Sequence, residues 1–270
     1  MVAGMVLGMV WIISFITAAN EFAVIVATCT WYFSRKDIPD DDGIPGDSDV
    51  TKGLVWTYRY QMGTLALGSF LLTCVWLVRS ILEYLGEKLH EASGGNCCLD
   101  CMLCCMRCVL DCFDRFVRYL NMNAYVYNAI TCESFCPSAL HAFLLILKNS
   151  TKFAFVEGIA GAFMFLAKTF IAVLTTIIGY AIIPPMASPV EVNPVAPCLF
   201  IFTFSYIVAA TFISIFETSS NSILQCYLFD QEIARTHNLD LKHVPAKLVK
   251  FLAVHDENVK IAEVSQPMMN

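Results

Sequence analysis

Apolar residues run along this chain in long blocks, not in the strict alternation of half-buried strands or the narrow stripes of surface helices. A bilayer-crossing helix needs about 20 mostly apolar residues, and four stretches supply them. The first runs from about Ala3 to Phe33 with Glu21 as its only charge. The second covers about Gln61 to Leu85 and carries no charge before Arg79. The third, about Phe153 to Ile183, is interrupted by Glu157 and Lys168, and the fourth, about Cys198 to Phe229, encloses Glu217. The pattern predicts an all-α, polytopic membrane protein with about four transmembrane helices at 1–33, 61–85, 153–183 and 198–229.

Between the second and third blocks lies Gly86–Lys152, whose first half alternates cysteine with Asp and Arg. Its second half is apolar but broken by Asp114, Arg115, Arg118, Asn121, Asn123, Glu133 and Pro137. It is read as amphipathic helices lying against the cytoplasmic membrane face, with a fifth crossing near Ala139–Leu147 as the alternative.

Charge bias then orients the chain. The 34–60 loop is acidic, with Asp37, Asp40, Asp41, Asp42, Asp47 and Asp49, and Pro184–Pro197 has no Lys or Arg. Lys and Arg gather in 86–152 and in the tail, 230–270. The positive-inside rule places these two in the cytoplasm and the 34–60 and 184–197 loops outside. Leu241, Val244, Leu248, Val249 and Leu252 of the tail suggest a short amphipathic surface helix.

Composition agrees with the pattern. Of the 270 residues 57% are hydrophobic and 15% charged, against about 45–50% and 25% in a soluble domain. Mean hydropathy is +0.63. The formal charge of −6 leaves no basic face for nucleic acid. A secretory signal fits poorly, because no basic segment precedes the first apolar run and that run is too long.

Cysteines come next. Cys97, Cys98, Cys101, Cys104, Cys105, Cys108 and Cys112 follow the second span. Cys98, Cys101, Cys104 and Cys108 have the spacing of a ferredoxin loop, but Val109 stands where that loop has proline, and no second run supplies another cluster. Zinc lacks a separate ligand pair. Spacings of three and four put all seven thiols on one helical face. They serve as small apolar residues or, beside a cytoplasmic membrane face, as palmitoylation sites. No metal or other cofactor is expected. The Asn149-Ser150-Thr151 sequon lies on the cytoplasmic side of this topology, where glycosylation does not occur.

Charges inside a membrane are costly and mark function by default. Glu21, Lys168 and Glu217 are the candidates, with Lys168 balanced by Glu21 or Glu217. Trp31, Tyr32, Trp56, Tyr58 and Tyr60 suit an interfacial aromatic belt. A quaternary ammonium would instead need converging aromatic faces and a nearby carboxylate.

Several short pieces are familiar in combination. They are Glu21-Phe22 with Trp31-Tyr32-Phe33, Arg59-Tyr60 through Gly63-Thr64-Leu65-Ala66-Leu67-Gly68, and Arg79-Ser80-Ile81-Leu82-Glu83-Tyr84-Leu85. Asn121-Met122-Asn123-Ala124-Tyr125, Phe135-Cys136, Ser138-Ala139, Ala142-Phe143, Lys148-Asn149, Lys168 and Ser205-Tyr206 continue the series. With them the chain resembles the C-terminal portion of the choline transporter-like family of solute carriers. The resemblance implies ten-helix transporters with cytoplasmic termini, four of whose helices are here, and upstream helices that this chain lacks. One departure is Asn221, where the family usually has an acidic residue; Glu217 lies one turn earlier.

The expected function is transport of choline or a related small organic cation across a membrane, the plasma membrane first. Glu21, Trp11, Phe15, Trp76, Phe204 and Tyr206 are the candidate binding residues. A non-transporting membrane scaffold or regulatory fragment is the alternative. The five histidines, His90, His141, His237, His243 and His255, have no catalytic or metal spacing, so no enzyme activity is expected.

Overall fold

The computed structural model describes residues 2–34, 50–93, 97–186 and 195–237. The 35–49 part of the acidic loop, 187–194, and the tail beyond His237, with its expected helix at Leu241–Leu252, lie outside these. Seven helices account for nearly all described residues, and no strand occurs among them. They are α1 (Val2–Ser34), α2 (Val50–Tyr60), α3 (Met62–Ser93), α4 (Cys97–Thr131), α5 (Phe135–Lys148), α6 (Ser150–Met186) and α7 (Val195–His237). Four are long and apolar enough to cross a membrane: Gly4–Ser34, Met62–Leu89, Ser150–Ile182 and Val195–His237. The all-α polytopic class and the four apolar blocks stand as the sequence has them.

Helices are the only open-ended element that satisfies its own backbone in lipid. Many hydroxyls follow suit: Thr28, Thr30, Thr169, Thr175 and Thr203 each donate to the carbonyl four residues back, which pairs them within their own helix.

The chain forms two units. The larger holds α1–α5 and the end of α7 from Gln225. Its centre is α1, with Ala18, Ala19, Phe22, Ala23, Ile25, Val26 and Cys29 buried. The small residues Ala19, Ala23 and Ala27 recur one turn apart, which permits close helix approach. Gly53 of α2 uses it, since a Cβ there would stand 2.9 Å from the Ala23 carbonyl oxygen. The acidic loop therefore contains a helix that its composition did not announce. α2 passes into α3 at Gln61 with its backbone bonds kept, Gln61 N–H to Thr57 O and Leu65 N–H to Gln61 O.

α4 runs antiparallel to α3. Leu103 packs over Gly86, Asp111 pairs with Arg79 at 2.7 Å, and Asn121 donates to Gly68 O at 2.9 Å. α4 and α5 meet at 105°. Cys132 makes the corner with φ 59°, the left-handed conformation common after a helix C-terminus. Asn128 braces the corner by donating to the Glu133 carbonyl, and Thr131 Oγ1 accepts from the Glu133 N–H.

The second unit pairs α6 with the first part of α7. Gly179 lies against Ile201, and Lys168 faces Glu217, so the two run antiparallel. Their outer faces are open among the described residues: Phe163 is 68% and Phe200 77% exposed. Apolar surface of this extent suits lipid or further helices, not water.

Candidate functional site

The most polar interior of the larger unit is a seam on α4. Asn121, Tyr125 and Asn128 fall four and three residues apart on one helical face, and all three are buried. Asn121 is anchored on Gly68. Gln225 of α7 donates to the Asn123 carbonyl at 3.1 Å. The Tyr125 ring meets Phe22 edge-on at 6.2 Å and Phe135 at 6.1 Å. Its hydroxyl fills the space where Gly68 has no side chain. Asn121 Oδ1, Tyr125 Oη, Asn128 Oδ1 and Gln225 Oε1 have no hydrogen-bond partner among the described residues. Four buried polar atoms without partners are unusual in a finished interior and mark this seam as a place for water or a polar ligand.

Glu21 stands at the rim of the seam, beside buried Phe22 and Ile25 on α1. Arg118 of α4 and Tyr125 are the groups in electrostatic reach of it. Arg118 is itself held by Asp114 at 2.8 Å. Lys168, for which Glu21 or Glu217 were alternatives, has its Nζ 3.5 Å from Glu217 Oε2.

Rings gather in three open recesses of this unit. Trp11 and Phe15 line one of about 430 Å³ with Ile12, Met62, Gly63 and Ala66. It is almost wholly apolar, and Trp11 donates to Ala66 O at 3.4 Å. Phe22, Trp56 and Tyr60 line another of about 280 Å³ that reaches Gln61 and Asn128. Trp56 and Tyr60, expected as belt residues, border this polar-floored recess. The third, about 400 Å³, has Tyr127, His141 and Phe229 around the Lys148–Glu232 ion pair. Trp76 is half-buried on α3 and lines none of the three. Phe204 and Tyr206 belong to the second unit, Tyr206 stacked on Phe202 at 6.4 Å. The structure therefore joins Trp11 with Phe15 and sets Glu21 by the α4 seam.

Sequence reasoning missed Tyr125, Asn121, Asn128 and Arg118. Their signal was a helical polar period inside an apolar stretch; Arg118 and Asn121 counted only as breaks in hydropathy, and Asn121 and Tyr125 as part of a family resemblance.

Cys101, Cys104, Cys105, Cys108 and Cys112 are exposed, while Leu103, Met106, Leu110 and Asp111 turn further inward. The thiols of Cys97 and Cys98 are outside the described side chains. No cluster of metal-binding side chains occurs among the described residues.

The Lys168–Glu217 pair carries a prediction. Lys168 is 18% exposed and Glu217 52%, so removing the lysine strands a carboxylate in an apolar setting. Lys168→Met should lower the folded yield several-fold, and adding Glu217→Gln should restore part of it. Size-exclusion profiles of the detergent-extracted chain report this; strictly additive losses would mean the two charges act separately.

Residues 1–232 match the family described as plasma-membrane choline transporter. Among similar proteins, choline transporter-like 2 of Anopheles gambiae is 31% identical over 233 residues, 84% of this chain and 28% of that protein. Choline transporter-like protein 1 of Rattus norvegicus is 32% identical over 225 residues, 83% and 33% of the two. Choline transporter-like protein 3 of Bos taurus is 33% identical over 228 residues, 84% and 33%. The chain spans about a third or less of the length of these curated relatives and corresponds to their C-terminal part. On the match over residues 1–232, the chain belongs to the choline transporter-like family.

Proposed function

We propose that this chain forms the C-terminal membrane part of a transporter for choline or a related small organic cation, acting in the plasma membrane. The observation that carries the reading is the family match, which runs through all of α1–α6 and into the last turns of α7. The chemistry is compatible. A quaternary ammonium has no N–H to donate, so it is held by aromatic faces and a carboxylate near by. Glu21 is the carboxylate proposed for that role, with Trp11, Phe15, Trp76, Phe204 and Tyr206 as rings that upstream helices would bring to bear. Substrate in such transporters binds near the midplane between helices. None of the residues has a covalent step to perform, and no cofactor is assigned.

The test is uptake of labelled choline by vesicles containing the chain, with and without an upstream transporter half supplied from a relative. Uptake that needs both parts, and that excess ethanolamine or choline suppresses, supports the reading. A completed, folded chain that moves neither cation would leave the membrane scaffold as the function.

A further inference from the structure

Two separate observations bear on how often the chain crosses the membrane. The first is the length over which α4 follows α3. Contacts run from Leu103 on Gly86, through Asp111–Arg79, to Asn121 on Gly68. About 18 residues at 1.5 Å each rise roughly 27 Å, nearly all of the ~30 Å of a hydrocarbon core. A helix that lies on a membrane face cannot stay beside a spanning helix for that distance.

The second observation concerns helix ends. Cys29, near the end of α1, has its sulfur 3.5 Å from that of Cys226, near the end of α7. With crossings by α1, α3, α6 and α7 only, those two ends lie on opposite faces. With one more crossing between α3 and α6 they share a face, and a buried sulfur contact becomes natural. Lys148, just before α6, pairs with Glu232 at the end of α7, which puts the start of α6 on that same face.

We infer that α4 is a fifth crossing, so that its cysteine-rich start opens on the membrane face opposite to the one that carries α2, α5 and the C-terminal tail. Of its acidic groups, Asp111 pairs with Arg79 of α3 and Asp114 with Arg118 one turn on in α4 itself, which lowers the cost of carrying them across. Charge bias then fixes the orientation. Lys52 and Arg59, then Lys148 and Lys152, and Arg235 at the end of α7 stand toward one face; Arg79 and Lys88 late in α3 and Arg107 early in α4 stand toward the other. The first face is cytoplasmic. Cys101 and Cys105 are therefore on the outer or luminal side, where thiols tend toward disulfides and cytoplasmic acylation does not reach them. This reverses the side expected for the cysteine stripe and for the 34–60 loop.

Intact cells expressing the full chain with a C-terminal epitope test this without substitutions. A membrane-impermeant phosphine reductant, which opens any disulfide, and then a membrane-impermeant maleimide are applied before and after permeabilisation, and labelled peptides are identified by mass spectrometry. The expected result is labelling of Cys101 or Cys105 in intact cells, with the epitope stained only after permeabilisation. Cys132 and Cys136, exposed at the α4–α5 corner, should behave as the epitope does. Cysteines 101 and 105 reached from the same side as the epitope would overturn the fifth crossing. Labelling of Cys101 inside with the epitope outside would keep the crossing and overturn the orientation.

Discussion

Replacing Gly68 by alanine should destabilise the larger unit, whereas the same change at Gly63, on the same helix, should not. The sign is informative because alanine favours a helix over glycine by about 1 kcal/mol. Gly63→Ala meets no atom within 4 Å and should leave thermal stability level or raise it. At Gly68 the added methyl runs into the Tyr125 hydroxyl, with the ring carbon bearing it at 2.9 Å and Phe135 at 3.1 Å. Tyr125 cannot retreat cheaply, since Phe22 and Phe135 hold its ring. Overpacking of this kind costs about 1–3 kcal/mol, which exceeds the propensity gain. Tyr125→Phe in the Gly68→Ala background removes the nearest oxygen and should recover part of the loss. Thermal unfolding followed by size exclusion in detergent measures both. If Gly68→Ala unfolds at the temperature of Gly63→Ala, Tyr125 does not clasp α4 to α3.

Composition and hydropathy carried the fold class because lipid restricts the answer to helices whose length the apolar runs reveal. α4 was the element they left ambiguous. Hydropathy scores each helix as if it met lipid all round, and α4 does not. Asn121 and Asp111 are answered by Gly68 O and Arg79 of α3, partners that only folding brings near, and Asp114 by Arg118 one turn on in α4 itself. The same limit applies to the candidate site. Glu21 and Lys168 were legible because an isolated charge in an apolar run stands out. Which partner each takes was not, and Lys168 chose Glu217 from two carboxylates far apart in sequence. The asparagine and tyrosine of Asn121-Met122-Asn123-Ala124-Tyr125 were visible as a family resemblance. Their physical content, one carbonyl bound on Gly68 and one carbonyl offered to Gln225, required the packed helices. Rings could be counted but not converged, because direction around a helix says nothing about which neighbour stands there.

Glu21→Gln should cut choline uptake by the upstream-completed chain tenfold or more while changing folded yield far less. A tenfold loss corresponds to about 1.4 kcal/mol, well within what a carboxylate contributes to a cation at a few ångströms in a partly dry site. Glutamine keeps the size of the side chain and its hydrogen-bonding oxygen, so the charge alone is withdrawn. The competing account gives Glu21 to Arg118, the cation that acts on it across the α1–α4 contact. In that account Glu21→Gln lowers yield and uptake together, and Arg118→Gln restores both by removing the stranded cation. Substrate binding predicts a different pair of results. Arg118→Gln, which leaves the carboxylate free to meet an external cation, should not rescue uptake in the Glu21→Gln chain, and alone it should hold or raise choline affinity. Competition by tetramethylammonium separates the two further. A cation with no donor groups should inhibit the unaltered chain and lose potency in Glu21→Gln, whereas a packing role for Glu21 would leave its potency unchanged in whatever folded protein remains.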